Sequence, residues 1–328
     1  MSDSNTSISP RQWLGRIINL SIAIVLIGIL LFIIDWGEFL EVIQSLSLQT
    51  IGSGFLVFIL LNLARTYRYL ALLQRKDLPV AQMFVISFYH NMMVRILPFK
   101  LGEFAYVVEM RNRLDIPAEE GFSSLFGSRL SELLMIMLVL SATLLTSGTV
   151  LQGQQNLGIL LAVLTVVGGV VGFYYSGIIG HTCVAIARKL FAWLPLDALW
   201  NQLDNLATDF DRFQNINLLG NALFWTIFTY AGSFGIVAIL LLGVGIDVSL
   251  STFIILISIS MFASAIPFNI AGFGAIELSW ATSLSLLADY TLAEAASIGL
   301  MMNSFILLAS IVTGILSFLW LNLRKSNQ

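Results

Sequence analysis

Two stretches of this chain, residues 95–104 (RILPFKLGEF) and 266–277 (IPFNIAGFGAIE), set a proline and glycines inside long runs of hydrocarbon side chains. Proline lacks a backbone donor and interrupts a helix, while glycine lets the chain turn where other residues clash. Inside a bilayer such a break survives only where protein or a water-filled cavity satisfies its backbone groups. Laid over each other without a gap, the stretches match Pro98 with Pro267, Phe99 with Phe268, Leu101 with Ile270 and Phe104 with Phe273. Gly102 then falls on Ala271, and Gly272 and Gly274 follow in the second copy. The chain reads as a scaffold holding two related helix breaks.

The rest of the composition agrees. Of 328 residues 58% are hydrophobic and 11% charged, where ordinary globular domains carry ~25% charged residues. Mean hydropathy is +0.90. A water-soluble fold cannot bury that much apolar surface, so the expected class is an all-α polytopic membrane protein with one membrane domain over 1–328. Two histidines and the single Cys183 exclude a disulfide framework and argue against a Cys/His metal centre. No metal, cofactor or nucleic acid is expected. Residues 1–14 are polar and lead into an apolar run without a small-residue cleavage motif, which reads as a tail and a first span rather than a removed leader.

A crossing helix needs roughly 17–25 residues. Runs at 17–34, 50–73, from near Pro117 to near Thr146, and at 158–179, 218–242 and 296–321 meet that length or extend to it, giving six expected spans. Residues 81–97 and a short piece ending at Glu109, Arg111 and Arg113 flank the first break, and the short apolar pieces 252–266 and 275–288 flank the second. The spacing of Leu199, Leu203, Leu206, Phe210 and Phe213 predicts an amphipathic helix within 181–215, packed on the protein at the membrane surface. Lysines and arginines lie at 11 and 16, between 65 and 113, at 129, 188, 189, 212, 324 and 325, and are absent from 35–49, 148–157 and 243–251. The positive-inside rule then puts both termini and the 181–215 segment in the cytoplasm. In this topology 15–147 and 158–322 are two halves, each built as span, span, re-entrant hairpin, span, and inserted with opposite polarity. That is the inverted-repeat plan of many secondary transporters, in which broken helices meet near the midplane.

Intramembrane charges mark candidate sites. Arg95, Lys100 and Glu103 flank the first break; Arg129 and Glu132, three apart on one helical face, open the next span; Asn269 and Glu277 belong to the second break. Arg95 and Lys100 suit a lipid phosphate, with Glu103 either holding the cations or receiving a substrate amine. The alternative is three residues reaching for headgroups at the rim. Arg129 and Glu132 form either a structural ion pair or part of the site. Glu277 needs a partner from the other half or a proton. Counted together, Arg95, Lys100 and Arg129 balance Glu103, Glu132 and Glu277. Arg65 and Arg68 either reach for headgroups or turn inward, and His90 reads as a hydrogen-bonded core residue. Pro98, Gly102, Pro267, Gly272 and Gly274 are assigned to the breaks themselves.

Pro98-x-x-x-Gly102-Glu103, Arg129-x-x-Glu132 and Pro267 followed by Gly272-Phe273-Gly274-x-x-Glu277 occur in the order found in the flippase-like family named for the membrane region of lysylphosphatidylglycerol synthases. The chain resembles that family over roughly 15–322. The resemblance implies an inner-membrane protein that moves lipids or lipid-linked groups between leaflets. Two departures stand out: members often have an arginine three residues after the motif glutamate, where this chain has Tyr106, and nothing follows Gln328. Translocation without lipid synthesis is therefore expected. The expected function is a transporter, not an enzyme, that carries a phospholipid or polyprenyl-phosphate-linked lipid by alternating access, either as a homo-oligomer or beside a lipid-synthesising enzyme. The rival readings are an ion- or proton-coupled carrier of a small solute, and an intramembrane lipid-modifying enzyme or its accessory subunit.

The orientation is directly testable through Cys183, which follows a span expected to end on the cytoplasmic side. A membrane-impermeant maleimide should leave it unmodified in intact cells and label it after permeabilisation. Labelling in intact cells would reverse the topology.

Overall fold

The computed structural model describes residues 36–75, 77–97, 101–146, 155–190, 197–265 and 274–325. Within them the chain forms twelve α-helices and one short 3-10 turn, with no strand. The helices are α1 (Trp36–Ser45), α2 (Leu48–Leu73), α3 (Val80–Ile96), α4 (Gly102–Leu114), α5 (Ala118–Thr146) and α6 (Gln155–Tyr174). They continue with α7 (Ser176–Leu190), α8 (Asp197–Asp211), α9 (Ile216–Gly243), α10 (Leu250–Ala265), α11 (Ala275–Leu287) and α12 (Leu292–Lys325). Four of them, α2, α5, α9 and α12, are long and apolar enough to cross a bilayer. This is an all-α polytopic membrane protein.

Their ends are set by local chemistry. Ser47 caps α2 by accepting from the Thr50 amide at 3.0 Å, and Gln74 ends that helix in a left-handed conformation. Pro117 precedes α5, whose first turn carries Glu119 and Glu120, acids that suit a helix N-terminus. Asn215 caps α9 through the Asn217 amide at 3.0 Å. Thr291 and Glu294 cap α12 reciprocally.

The crossing helices turn apolar side chains outward. Leu56 and Leu60 of α2, Phe224, Ile227 and Phe228 of α9, and Leu308, Val312 and Leu316 of α12 are exposed. Polar residues such as Asn62, Thr66, Arg68, Thr226, Thr229 and Asn303 are buried. Lipid is as apolar as leucine, so such helices are held together by close packing and interhelical hydrogen bonds. The central pair is α2 and α9. Thr50 packs at Gly243, Leu61 at Gly232, and the Tyr67 and Trp225 rings stack at 4.8 Å, so the two helices run antiparallel along their length.

The helices on either side of each expected break are too short to cross. At 1.5 Å per residue, α3 and α4, with 17 and 13 residues, and α10 and α11, with 16 and 13, each fall short of a ~30 Å hydrocarbon core. The first pair folds back as a helical hairpin: Gln82 donates to the Arg113 carbonyl at one end, and His90 meets Glu103 near the other. The residues of the breaks, Pro98, Lys100, Pro267, Asn269 and Gly272, lie outside the described residues, as does the expected first span at 17–34. Helix α3 packs on α12, and α10 packs on α5, so each hairpin lies against the last long helix of the other half.

Two expectations change. The run expected to cross as 158–179 is straight only to Tyr174, and the path then bends by 67° into α7. Glycine and serine flank the bend at Gly172, Ser176 and Gly177, a common cause of sharp kinks. There Gly177 abuts Asp211, where a β-carbon would lie 2.0 Å from Oδ1. The 181–215 segment, expected as one amphipathic helix, is divided. Helices α7 and α8 pair antiparallel, tied by Arg188–Asp204 at 2.5 Å and His181–Asp211 at 3.3 Å, and a 3-10 turn at Arg212–Gln214 follows. Trp200, Ala207 and Phe213 form the buried face. Arg212 then fastens this unit to α5 through the Glu120 carbonyl and the Ser123 hydroxyl.

Gly102 is the tightest point of the first hairpin. A β-carbon there would come within 2.2 Å of the Met93 carbonyl oxygen, a backbone atom that cannot rotate away. Gly102→Ala should therefore lower stability by ~1–3 kcal/mol, the range for overpacking, read as a fall in the melting temperature of the purified protein. Gly52→Ala, with open space around it, should be neutral or slightly stabilising. Equal behaviour of the two variants would contradict the close approach of α3 and α4.

Candidate functional site: an arginine-lined cavity between the halves

A cavity of about 510 Å³ lies where α2, α3, α4 and α5 of the first half meet α9, α10, α11 and α12 of the second. Its polar wall includes Arg65, Arg95, Arg129, Glu103 and Glu132, and Leu97 and Leu133 form a half-exposed apolar rim.

One wall is a continuous run of alternating charge. Arg68, fully buried on α2, donates to Glu132 at 2.5 Å. The other oxygen of Glu132 accepts from Arg129 at 2.7 Å. Arg129 reaches on to Glu103 at 2.5 Å, and His90 Nε2 lies 3.1 Å from the second oxygen of Glu103. At such distances opposite charges attract by ~4 kcal/mol at an effective dielectric of 20, against ~1 kcal/mol in water. The order Arg68, Glu132, Arg129, Glu103, His90 joins α2, α5, α4 and α3. Helix α9 closes it from behind: the Thr226 and Thr229 hydroxyls each lie 3.4 Å from Arg68, and Tyr230 donates to the Glu132 carbonyl at 2.8 Å. The next layer is aromatic. Tyr106 stacks on Tyr69 at 4.5 Å and meets the Ser124 hydroxyl at 3.1 Å.

The opposite wall couples the two hairpins through one amide. Asn303 of α12 accepts from Arg95 at 3.3 Å and donates to Glu277 at 2.6 Å. The second oxygen of Glu277 accepts from the Gly274 amide at 2.7 Å, so this carboxylate also caps α11. Gly274 can take that position because its φ is +128°, a conformation other residues adopt with strain. Asn303 and Gly274 belong to the same half as Glu277, and Arg95 of the other half lies one amide beyond.

Of the residues expected at the site, Arg95, Glu103, Arg129, Glu132 and Glu277 are gathered around this cavity. Lys100 and Asn269 lie outside the described residues. Arg65, Arg68 and Asn303 were not assigned to the site from sequence. Both arginines turn inward, and their signal was two cations three apart in an apolar run that a rim position explained equally well. Asn303, one amide in the run MMNSF, has no spacing that marks it. With Arg65 and Arg68 included, four guanidiniums face three carboxylates among the described residues, so the expected balance of charge gives way to a positive excess.

Breaking the charged run should be costly. Arg68→Met removes one of the two guanidiniums that Glu132 accepts from and should destabilise the protein by up to ~3–5 kcal/mol, the range for loss of one partner of a buried pair. Replacing both, Arg68→Met with Glu132→Leu, should recover part of that loss in a thermal-unfolding double-mutant cycle. Strictly additive effects would show that the pair is not coupled.

No curated protein and no solved structure matches the chain. A family model, the lysylphosphatidylglycerol synthase TM region, matches residues 17–314. That match takes in both hairpins and every charged residue of the cavity. The chain belongs to the lysylphosphatidylglycerol synthase transmembrane-region family.

Proposed function

We propose that this protein translocates a phospholipid or polyprenyl-phosphate-linked lipid between the leaflets of the inner membrane, as a carrier rather than an enzyme. The observation that carries the reading is the cavity itself, a charged chamber inside a lipid-facing helix bundle with an apolar rim at Leu97 and Leu133. An amphipathic lipid has the matching parts, a charged headgroup for the arginine wall and chains that stay among apolar side chains. The family match supports lipid handling in general.

The mechanism proposed is alternating access between two halves related by an inverted repeat, with both termini cytoplasmic. Two features favour it. Helices α2 and α9, the second expected span of each half, pair antiparallel, as equivalent helices must about an axis in the membrane plane. Each hairpin also packs on the last long helix of the other half, so the exchange of contacts is symmetric. The short helices would then be re-entrant, entering from opposite faces, and would carry Glu103 and Glu277 to the same depth. Rocking one half against the other would open the chamber to each leaflet in turn.

In proteoliposomes containing a fluorescent phospholipid, the wild-type protein should equilibrate the probe between leaflets, measured by quenching of the outer leaflet. Arg129→Ala and Glu277→Ala should abolish that movement, whereas Asp247→Ala, in the exposed link before α10, should not. Site variants that remain monodisperse and move lipid at the wild-type rate would rule out the cavity as the path.

A further inference from the structure

The three carboxylates near the cavity are already engaged. Both oxygens of Glu103 and Glu132 lie against arginine or histidine nitrogens, and those of Glu277 accept from Asn303 and Gly274. Two of the lining arginines have no such partner. Among the described residues no carboxylate lies within 4 Å of Arg65 or Arg95, and each guanidinium meets one neutral amide oxygen, Asn62 for Arg65 and Asn303 for Arg95, both at 3.3 Å.

The two are brought together by a third amide. Asn62 donates to the Phe58 carbonyl at 2.8 Å, which turns its oxygen towards both Arg65 and Asn91 of α3. Asn91 and Arg95 are one turn apart on the same face of α3, so the guanidiniums enter the cavity from adjacent helices. Independent signs of unmet polarity cluster there. Among the described residues Arg95 Nε, His90 Nδ1 and the Tyr69 hydroxyl are buried without a hydrogen-bond partner, and all three residues line the cavity. A buried guanidinium short of acceptors is costly. The geometry fits an acceptor-rich anion, and arginine forks match phosphate oxygens in particular.

We propose that Arg65 and Arg95 form a phosphate subsite for the transported lipid's headgroup, and that the cavity favours lipids of net negative headgroup charge over those carrying an amine. The inference rests on the translocation reading above and narrows its substrate class. An ammonium entering this chamber would find each carboxylate oxygen already bonded and four guanidiniums nearby. A phosphate without an amine meets only the positive excess.

The test is calorimetric titration of the purified full-length protein with four probes: dihexanoyl phosphatidic acid, dihexanoyl phosphatidylethanolamine, a short isoprenyl monophosphate and inorganic phosphate. Phosphatidic acid or the isoprenyl phosphate should bind at least tenfold more tightly than phosphatidylethanolamine, and the tighter of the two identifies the lipid source. Arg65→Gln and Arg95→Gln should each weaken that binding tenfold or more and erase the preference. The charge-retaining Arg65→Lys and Arg95→Lys should fall between, and they decide the matter if the glutamine variants do not fold. Equal affinity for phosphatidylethanolamine, undiminished binding by the variants, or inorganic phosphate binding as tightly as the lipids would each overturn the subsite. Phosphatidylethanolamine moving through wild-type proteoliposomes at the rate of phosphatidic acid would overturn the headgroup preference and leave translocation standing. Anion binding that depends on Arg65 and Arg95 without movement of any lipid would leave the subsite standing and remove translocation.

Discussion

Glu132 shares its carboxylate between two guanidiniums, Arg68 behind it and Arg129 in front, and the middle of the protein is organised around that sharing. Arg68 has no exposed surface and two threonine hydroxyls at 3.4 Å, so without Glu132 its charge would be stranded in a low-dielectric interior. Arg129 is different. Its side chain keeps 42% of its surface exposed while it bridges Glu132 and Glu103. One end of the run therefore serves packing, and the other faces the cavity. Because the run ties α2, α5, α4 and α3 together and rests on α9, any large rearrangement must move these helices as a body or break an ion pair.

The helix breaks explain how such charges can exist inside a membrane protein. A long continuous helix would carry Glu103 or Glu277 past the middle of the bundle on one apolar rod. Short helices that end inside the protein instead place helix termini beside the side chains, and Glu277 uses this directly by accepting from the amide of Gly274 at the start of α11. The two hairpins are linked by Asn303, with Arg95 on one side and Glu277 on the other. Each of these contacts joins one charged group to a neutral amide, whereas the opposite wall pairs guanidiniums directly with carboxylates. The halves are therefore joined in two ways, by the close packing of α2 on α9 and by this single-amide link between the hairpins.

Much of the architecture was legible in the sequence because bilayer thickness converts directly into run length. The four long helices, the short helices on either side of each break and the start of α5 after Pro117 all follow from where charges, prolines and glycines interrupt hydrocarbon. The bend after Tyr174 was not legible: Gly172, Ser176 and Gly177 are tolerated in spanning helices, and only the approach of Asp211 shows why the chain turns there. For the site, the motif charges Glu103, Arg129, Glu132 and Glu277 were visible as costly exceptions in apolar runs. Arg65, Arg68 and Asn303 were not. Their role depends on which helix face meets the cavity, and cations near the end of an apolar run fit a headgroup position as well as an inward one.

The central claim is that one cavity between two antiparallel halves opens alternately to the two sides of the membrane. Ser233 of α9 lines that cavity and carries none of its charge. With Cys183→Ser to remove the native thiol and Ser233→Cys to place one in the cavity, labelling by an impermeant maleimide can be followed from each face of sealed, oriented vesicles. The account predicts modification from both faces, with a bound anionic lipid slowing both. A thiol that reacts from one face alone under every condition would contradict it and leave a static vestibule in place of a carrier.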